Sequence, residues 1–258
     1  MNKKLVYGLI GAVVVIAVGI FAFSKTNTTS NSDEKVLKVA TEGTYAPFTY
    51  HDEKGNLTGY DVEVAKAVAK KMGYKVEFVE APWDAMLSAF DAGKADVVFN
   101  QVGITDERKQ KYLFSTPYTV SHSVLVVNKD NKDIHSIKDL KGKKAAQSLT
   151  SNYGKTAENA GAQLVSVDGF SKAAELLANG QADATLNDDV AFLDYMKQQP
   201  NASLKIVETA KEGVPSAVLI QKNEKDLQTK IDKALKELSD EGELTKISEQ
   251  FFGKDISK

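Results

Sequence analysis

The sequence predicts an α/β protein built as two lobes of similar architecture, joined by a pair of crossing strands. Three observations carry this. From Val36 onward, strand-like and helix-like segments alternate, the pattern of parallel sheets covered by helices. A strand–helix–strand unit then recurs: GYKVEFVEAPWDAMLSAFDAGKADVVFN at 73–100 and GAQLVSVDGFSKAAELLANGQADATLN at 161–187. Trp83 precedes Gly93 by ten positions, Phe170 precedes Gly180 by ten, and each unit continues as G-x-A-D, strand, Asn. Two copies argue for two lobes rather than a solenoid. Finally, SVLVVNKD (Ser123–Asp130) and PSAVLIQKNEKD (Pro215–Asp226) are apolar strands ending in charged turns, which suit a pair crossing between lobes. Two ordinary sheet strands would read the same way.

Taken in order, the chain opens with Lys3 and Lys4 before an uncharged apolar run from Leu5 to Phe23. A positive flank followed by such a run is an export signal. The run is also close to membrane-spanning length. Residues 1–24 thus read either as a signal cleaved near Ala22–Ser24 or as a retained anchor with its N-terminus inside. The body would be periplasmic or secreted in one case and held at the cell surface in the other. Residues 25–35, polar and rich in Ser, Thr and Asn, read as a flexible tether. VLKVAT (Val36–Thr41) alternates as a strand does. YDVEVAKAVAKKMG places Val62, Ala65, Val68, Ala69 and Met72 at helical spacing, with Gly73 as its stop. YKVEFVE is a strand, WDAMLSAFDAG a helix and DVVFN a strand. After the second crossing strand, Leu227, Ile231, Ala234, Leu235 and Leu238 mark one amphipathic helix, and Leu244, Ile247 and Phe251 another. The expected division is lobe 1 at 36–124 and 220–258, lobe 2 at 128–215, and hinge strands at 124–128 and 216–220.

Composition removes several functions. A formal net charge of −2 over 258 residues gives no electrostatic case for nucleic acid or an anionic membrane surface. The absence of cysteine excludes disulfides, Cys-ligated zinc and thiol catalysis. His51, His122 and His135 have no metal-ligand spacing. No cofactor and no metal are expected.

Several ordered motifs resemble one family. GYDVEVAKAVAKKM (59–72) looks like the signature helix of the bacterial extracellular solute-binding proteins that serve polar amino-acid ABC transporters (family 3). GITDERKQKYLFSTPY (103–118) looks like their carboxylate-binding loop, and DATLNDDVAFLDY (183–195) like their second-lobe ligand segment. The resemblance spans Val36 to Phe252, and AAQSLTSNYGKTAENAGAQLVSVDGF is most similar to the cystine-binding branch. It implies a two-lobed, periplasmic-binding-protein-like fold (type II) with the ligand cleft between lobes. It further implies hinge closure on a free amino acid, a membrane permease as partner, and a monomer.

A free amino acid presents a carboxylate, an ammonium and a side chain, and each needs a partner once water is excluded. Arg matches a carboxylate with a planar fork. The resemblance places Arg108 on the α-carboxylate with the Gly103 N–H beside it, while Thr105 is positioned to cap the next helix. Alternatively, Arg108 pairs at the surface with Asp106 or Glu107. Asp188 ends a strand of the second lobe, where α/β sheets open into clefts, and matches the family's acidic position for the ammonium. Its alternative role is to N-cap the following helix, which Asp189 could do equally well. Ser151 and Asn152 near a helix start would complete the carboxylate pocket, cap that helix, or both. The resemblance implies that Tyr45 and Trp83 stack on the side chain; Phe48 is expected to pack within its lobe. Glu42, Asn100 and Gln101 supply polar contacts. Glu42 suits a distal positive group, such as the second ammonium of cystine or a basic side chain. Ser148 leaves room for a long ligand, and Tyr153 lines that room. Two other classes compete. A dehydratase-like enzyme on this scaffold would need a general acid or base beyond the clamp. A receptor sensing module would call for a kinase or channel continuation, and the chain stops at Lys258.

Overall fold

A computed structural model describes residues 35–257. The export segment and all but the last residue of the tether lie outside the described residues. Among the described residues, no helix is long and apolar enough to cross a membrane.

The first sheet begins with β1 (Val36–Thr41), the alternating VLKVAT run. Its pleat sends Leu37 and Val39 into one core cluster and Ala40 into another, on the opposite face. A small antiparallel sheet follows, of β2 (Thr44–Tyr45), β3 (Thr49–His51) and β4 (Leu57–Thr58). Helix α1 (Tyr60–Met72) then buries Val62, Ala65, Val68 and Ala69 of the stripe that its sequence spacing predicts, and Val64 as well, while Met72 is only partly buried. Gly73 stops it in the left-handed conformation (φ 71°), where a glycine has no Cβ to clash. The strand β5 (Lys75–Glu80), helix α2 (Trp83–Asp91) and strand β6 (Val97–Val98) complete the first copy of the repeated unit. After helix α3 (Asp106–Lys111) and strand β7 (Tyr112–Phe114), the chain leaves this sheet.

The second sheet starts with β8 (Thr119–Asn128), followed by β9 (Lys144–Gln147), α4 (Asn152–Asn159), β10 (Gln163–Ser166), α5 (Phe170–Ala178), β11 (Ala184–Asp188), α6 (Asp189–Gln198) and β12 (Leu204–Ser216). The chain returns through β13 (Leu219–Gln221) to the first sheet and finishes with α7 (Lys225–Asp240) and α8 (Glu243–Phe252). The strand orders are β5-β1-β6-β13-β7 and β10-β9-β11-β8-β12. They correspond position by position. β1 pairs in parallel with β5 and β6, as β9 does with β10 and β11. The strand added next to each parallel trio, β13 or β8, is antiparallel to it. The nine-residue helices α2 and α5 begin at Trp83 and Phe170, the two positions aligned by the repeat.

The first crossing comes earlier than the sequence suggests. Val124–Asn128, expected to form a hinge strand, lie inside the second sheet, flanked by β11 on one side and β12 on the other. Val124 and Val126 enter one core cluster, Leu125 and Val127 another. A strand buried on both faces reads as a continuous apolar run, so SVLVV marks a sheet centre rather than a connection. The segments that pass between sheets run side by side near 115–119 and 216–219, where Tyr118 N–H bonds Ser216 O (3.0 Å) and Ser115 N–H bonds Val218 O (3.1 Å).

Candidate functional site

The parallel strands of both sheets point their carboxyl ends at one another, the place where α/β sheets gather ligand-binding loops. Glu42 follows β1, Asn100 and Gln101 follow β6, Ser148 follows β9, and Asp188 ends β11. With Tyr45, Trp83, Ser151, Asn152 and Tyr153 they line one cavity of about 50 Å³. Ten of the twelve expected site residues therefore meet at one place.

Asp188 is 4% exposed, and its carboxylate accepts hydrogen bonds from three hydroxyls: Tyr45 of the first lobe, Ser121, and Tyr153 (2.7 Å). It stands at the N-cap position of α6 by backbone geometry, yet its side chain makes no capping bond. Asp189 accepts instead from the N–H groups of Val190 (2.9 Å) and His122 (3.3 Å), so the Asp188 carboxylate is turned to the cleft. Burial raises the Asp188 carboxyl above its ordinary value, and the three hydroxyls oppose that rise. Burial likewise raises the Tyr45 and Tyr153 phenols, with the Asp188 charge adding to it, so both remain donors.

Glu42 faces the cavity from the first lobe and is 8% exposed. Asn100 organises it: the side-chain amide donates to Glu42 Oε2 (2.6 Å), while its carbonyl accepts from Glu42 N–H (2.8 Å) and Thr41 Oγ1 (3.1 Å). Burial is the largest influence on Glu42 and lifts its carboxyl from 4.5 to about 7, against the lowering effect of Asn100. Gly169, at the start of α5 with φ 90°, comes close enough that a Cβ there would lie 3.8 Å from Glu42 Oε1. The second lobe thus closes directly over this carboxyl.

Arg108 and Gly103 stand apart from the inner cavity. Arg108 borders an adjoining outer cavity of about 430 Å³, which shares Ser151 and Asn152 with the inner one. Its guanidinium lies over the Trp83 ring (5.2 Å to the centroid) and donates to Gly103 O (2.9 Å) and Thr150 O (3.3 Å). Asp106 pairs with Lys109 (3.3 Å), and no ion pair ties Arg108 to Asp106 or Glu107 among the described residues. Burial lowers the Arg108 pKa to about 10, which leaves it cationic at neutral pH. The carbonyl of Gly103, rather than its N–H, faces Arg108, and the glycine approaches Asn152 across the cleft. Thr105 caps α3 by accepting from Arg108 N–H (3.2 Å), and Ser151 caps α4 by accepting from Gly154 N–H (2.9 Å). Phe48 is fully buried within its lobe against Tyr45 and Phe252.

The lobes touch across the cleft. Besides the Tyr45–Asp188 bond, the Tyr45 hydroxyl lies within 2.6 Å of Asn187 Oδ1. At the rim, the Asp84 carboxylate of α2 accepts from Leu149 N–H (3.1 Å), Thr150 N–H (2.9 Å) and Thr150 Oγ1 (2.5 Å). A cavity of this size holds only a few water molecules. An amino acid therefore requires the lobes to part, or the hydroxyls around Asp188 to yield to an ammonium. Sequence reasoning missed Ser121, Phe170 and Asn187. Phe170 and Asn187 were legible in the repeat as the partners of Trp83 and Asn100. Ser121 had no signal, because strand pairing alone brings β8 against β11.

Comparisons with known proteins agree with this architecture. The family model for bacterial extracellular solute-binding proteins, family 3, matches residues 37–254. A probable amino-acid ABC transporter-binding protein of Haemophilus influenzae is 45% identical over 258 residues, covering 99% of this chain and all of that protein. An ancestral arginine-binding protein, solved bound to arginine, overlays with a TM-score of 0.79 at 42% identity, covering 85% of this chain and 99% of the other. The L-cystine solute receptor of Neisseria gonorrhoeae, solved in an unliganded open conformation, is 52% identical over 88% of this chain and 96% of its own, with a TM-score of 0.57. The more similar sequence is the poorer overlay, as expected when one structure is open and the other has its lobes in contact. The chain belongs to the bacterial extracellular solute-binding proteins, family 3.

Proposed function

We propose that the protein is the substrate-binding component of an amino-acid ABC importer. It captures L-cystine between its lobes and delivers it to a membrane permease. The observation that carries this is a pair of buried carboxyls on opposite walls of one cleft: Asp188 from the second lobe, Glu42 from the first. A single-headed amino acid needs one acidic partner for its ammonium. A ligand with two ammonium groups uses both. In this reading Asp188 takes the α-ammonium, Arg108 moves from the rim to the α-carboxylate with Ser151 and Asn152, and Glu42 faces the distal ammonium. Tyr45 and Trp83 flank the ligand's chain. The 52% identity to a cystine receptor supports the choice of ligand. The protein is exported, acts as a monomer, and is either released or anchored by its N-terminal segment.

A thermal-shift screen of the body against every amino acid and cystine tests this. Cystine is expected to raise the melting temperature most, because a ligand that binds only the folded state stabilises it by linkage. A flat screen would refute the proposal. A largest shift with arginine or histidine would favour a basic-amino-acid binder, a reading supported by the arginine-bound neighbour. One observation favours an enzyme: a cleft carboxyl lifted to about 7 has the property of a general acid–base. Recovery of cystine unchanged after prolonged incubation would exclude turnover of it.

A further inference from the structure

Asp61 is fully buried at the second position of α1, outside the cavity, and nothing in the clamp uses it. Its two oxygens hold one residue from two directions. Oδ2 accepts from the backbone N–H of Gln101 (2.8 Å), and Oδ1 accepts from the Gln101 side-chain amide (2.7 Å). Gln101 is the one non-glycine residue with positive φ (47°) among the described residues. That conformation costs an L-residue about 1–2 kcal/mol and persists only where its surroundings fix it.

The loop so held runs from the cleft to the hinge. Asn100 and Gln101 line the cavity. The next residues pair with the returning crossing segment: Ala217 N–H bonds Val102 O (3.2 Å), Gly103 bridges Ser216, and Ile104 N–H bonds Pro215 O (3.1 Å). The Gln101 amide also donates to Thr119 Oγ1 (3.1 Å), at the start of β8 and the end of the first crossing segment. One buried carboxylate therefore fixes a turn that touches the cleft and both crossing segments.

We infer that Asp61 is a positioning residue for ligand binding: it locks the turn at Gln101, presents Asn100 and Gln101 to the cleft, and ties that loop to the crossing segments. The ligand arm of its test rests on the amino-acid reading above; the exchange arm does not.

The test compares Asp61→Asn with the similarly branched but bulkier, apolar Asp61→Leu. Asparagine keeps an acceptor for Gln101 N–H, and its amide can donate to Gln101 Oε1, a buried acceptor that has no partner here, once the Gln101 amide turns over. Leucine can do neither. Amide hydrogen exchange of the body alone is expected to show Gln101 and 102–104 protected in wild type and Asp61→Asn. In Asp61→Leu they should exchange about tenfold faster or more, with β1 and β5 still protected. Calorimetry with L-cystine as the probe is expected to show about tenfold weaker binding for Asp61→Leu and rescue to within about threefold for Asp61→Asn. Wild-type protection at Gln101 in Asp61→Leu, or equal behaviour of the two variants, would overturn the inference. Should Asp61→Leu not fold, Gln101→Ala tests the same lock from the other side. Faster exchange at 102–104 is expected, and unchanged exchange would overturn it. If wild type binds no amino acid, the functional reading fails while the exchange result still stands.

Discussion

The units at 73–100 and 161–187 share one scaffold and carry different chemistry. Each runs strand, nine-residue helix, strand and Asn, and each begins its helix with an aromatic at the cleft. They part at the residue after the Asn. In the first lobe Asn100 is followed by Gln101, an amide held by Asp61, and Asn100 itself serves Glu42. In the second, Asn187 is followed by Asp188, a carboxylate that gathers three hydroxyls. The two cleft carboxyls are thus prepared differently. Asp188 is surrounded by donors that stabilise its charge, the setting for a constant head group. Glu42 has one side-chain amide, sits near neutrality and has no basic side chain among the groups that shape it, the setting for a charge that the ligand supplies.

The largest effect should come from the better-prepared carboxyl. Asp188→Asn removes the charge and is expected to cost about 3–5 kcal/mol of amino-acid affinity by calorimetry, because in the proposed clamp the ligand's ammonium loses its buried partner. A loss equal to that of Glu42→Gln for a single-headed amino acid would erase the distinction between the walls. Arg108→Ala is expected to weaken binding by about 2–5 kcal/mol if the guanidinium reaches the α-carboxylate. A loss under about 1 kcal/mol would confine it to the rim contact with Thr150 and the Trp83 face.

The third effect is on pH. The Glu42 carboxyl rises from 4.5 unfolded to about 7 folded, so between these values the native state binds the proton more tightly than the unfolded chain. The resulting stability is present below pH 4.5 and is lost as pH rises towards 7, by about 3 kcal/mol for a shift of this size. Asp61, raised to about 7 by burial, acts in the same direction. Melting temperature without ligand should therefore fall from pH 5 to pH 7, and Glu42→Gln should flatten part of that slope. An unchanged slope in the variant would show that Glu42 titrates normally. The smallest effect concerns closure. Asp84→Asn leaves the rim N–H groups of Leu149 and Thr150 less well accepted and should speed ligand dissociation several-fold, about 1 kcal/mol. The single Trp, Trp83, lines the cleft and can report this by stopped-flow fluorescence. An unaltered dissociation rate would show that the rim bonds do not hold the lobes together.

Much of this was legible in the sequence because backbone periodicity and side-chain role coincide. The β1 alternation and the α1 stripe are burial patterns, and the repeat places Trp83 and Phe170 at equivalent helix starts. Asp188 was legible as a strand end. The first crossing was not: an apolar run such as SVLVV reports burial on two faces, and a crossing segment is defined instead by what it pairs with. Asp61 was hidden for the opposite reason. An acidic residue in the first turn of a helix is ordinary, and only the fold reveals that its carboxylate points inward to a strained turn forty residues away along the chain, at Gln101. The rim position of Arg108 was hidden too, since sequence does not say on which side of Trp83 the guanidinium rests.

The most direct measurement is a crystal structure of the body grown with L-cystine. One ammonium is expected about 3 Å from Asp188, the adjoining carboxylate about 3 Å from Arg108, and the second ammonium beside Glu42, with Tyr45 and Trp83 against the chain between them. Cystine held in the cleft with neither Asp188 nor Arg108 in contact, or held outside the cleft altogether, would contradict a clamp made from the two lobes.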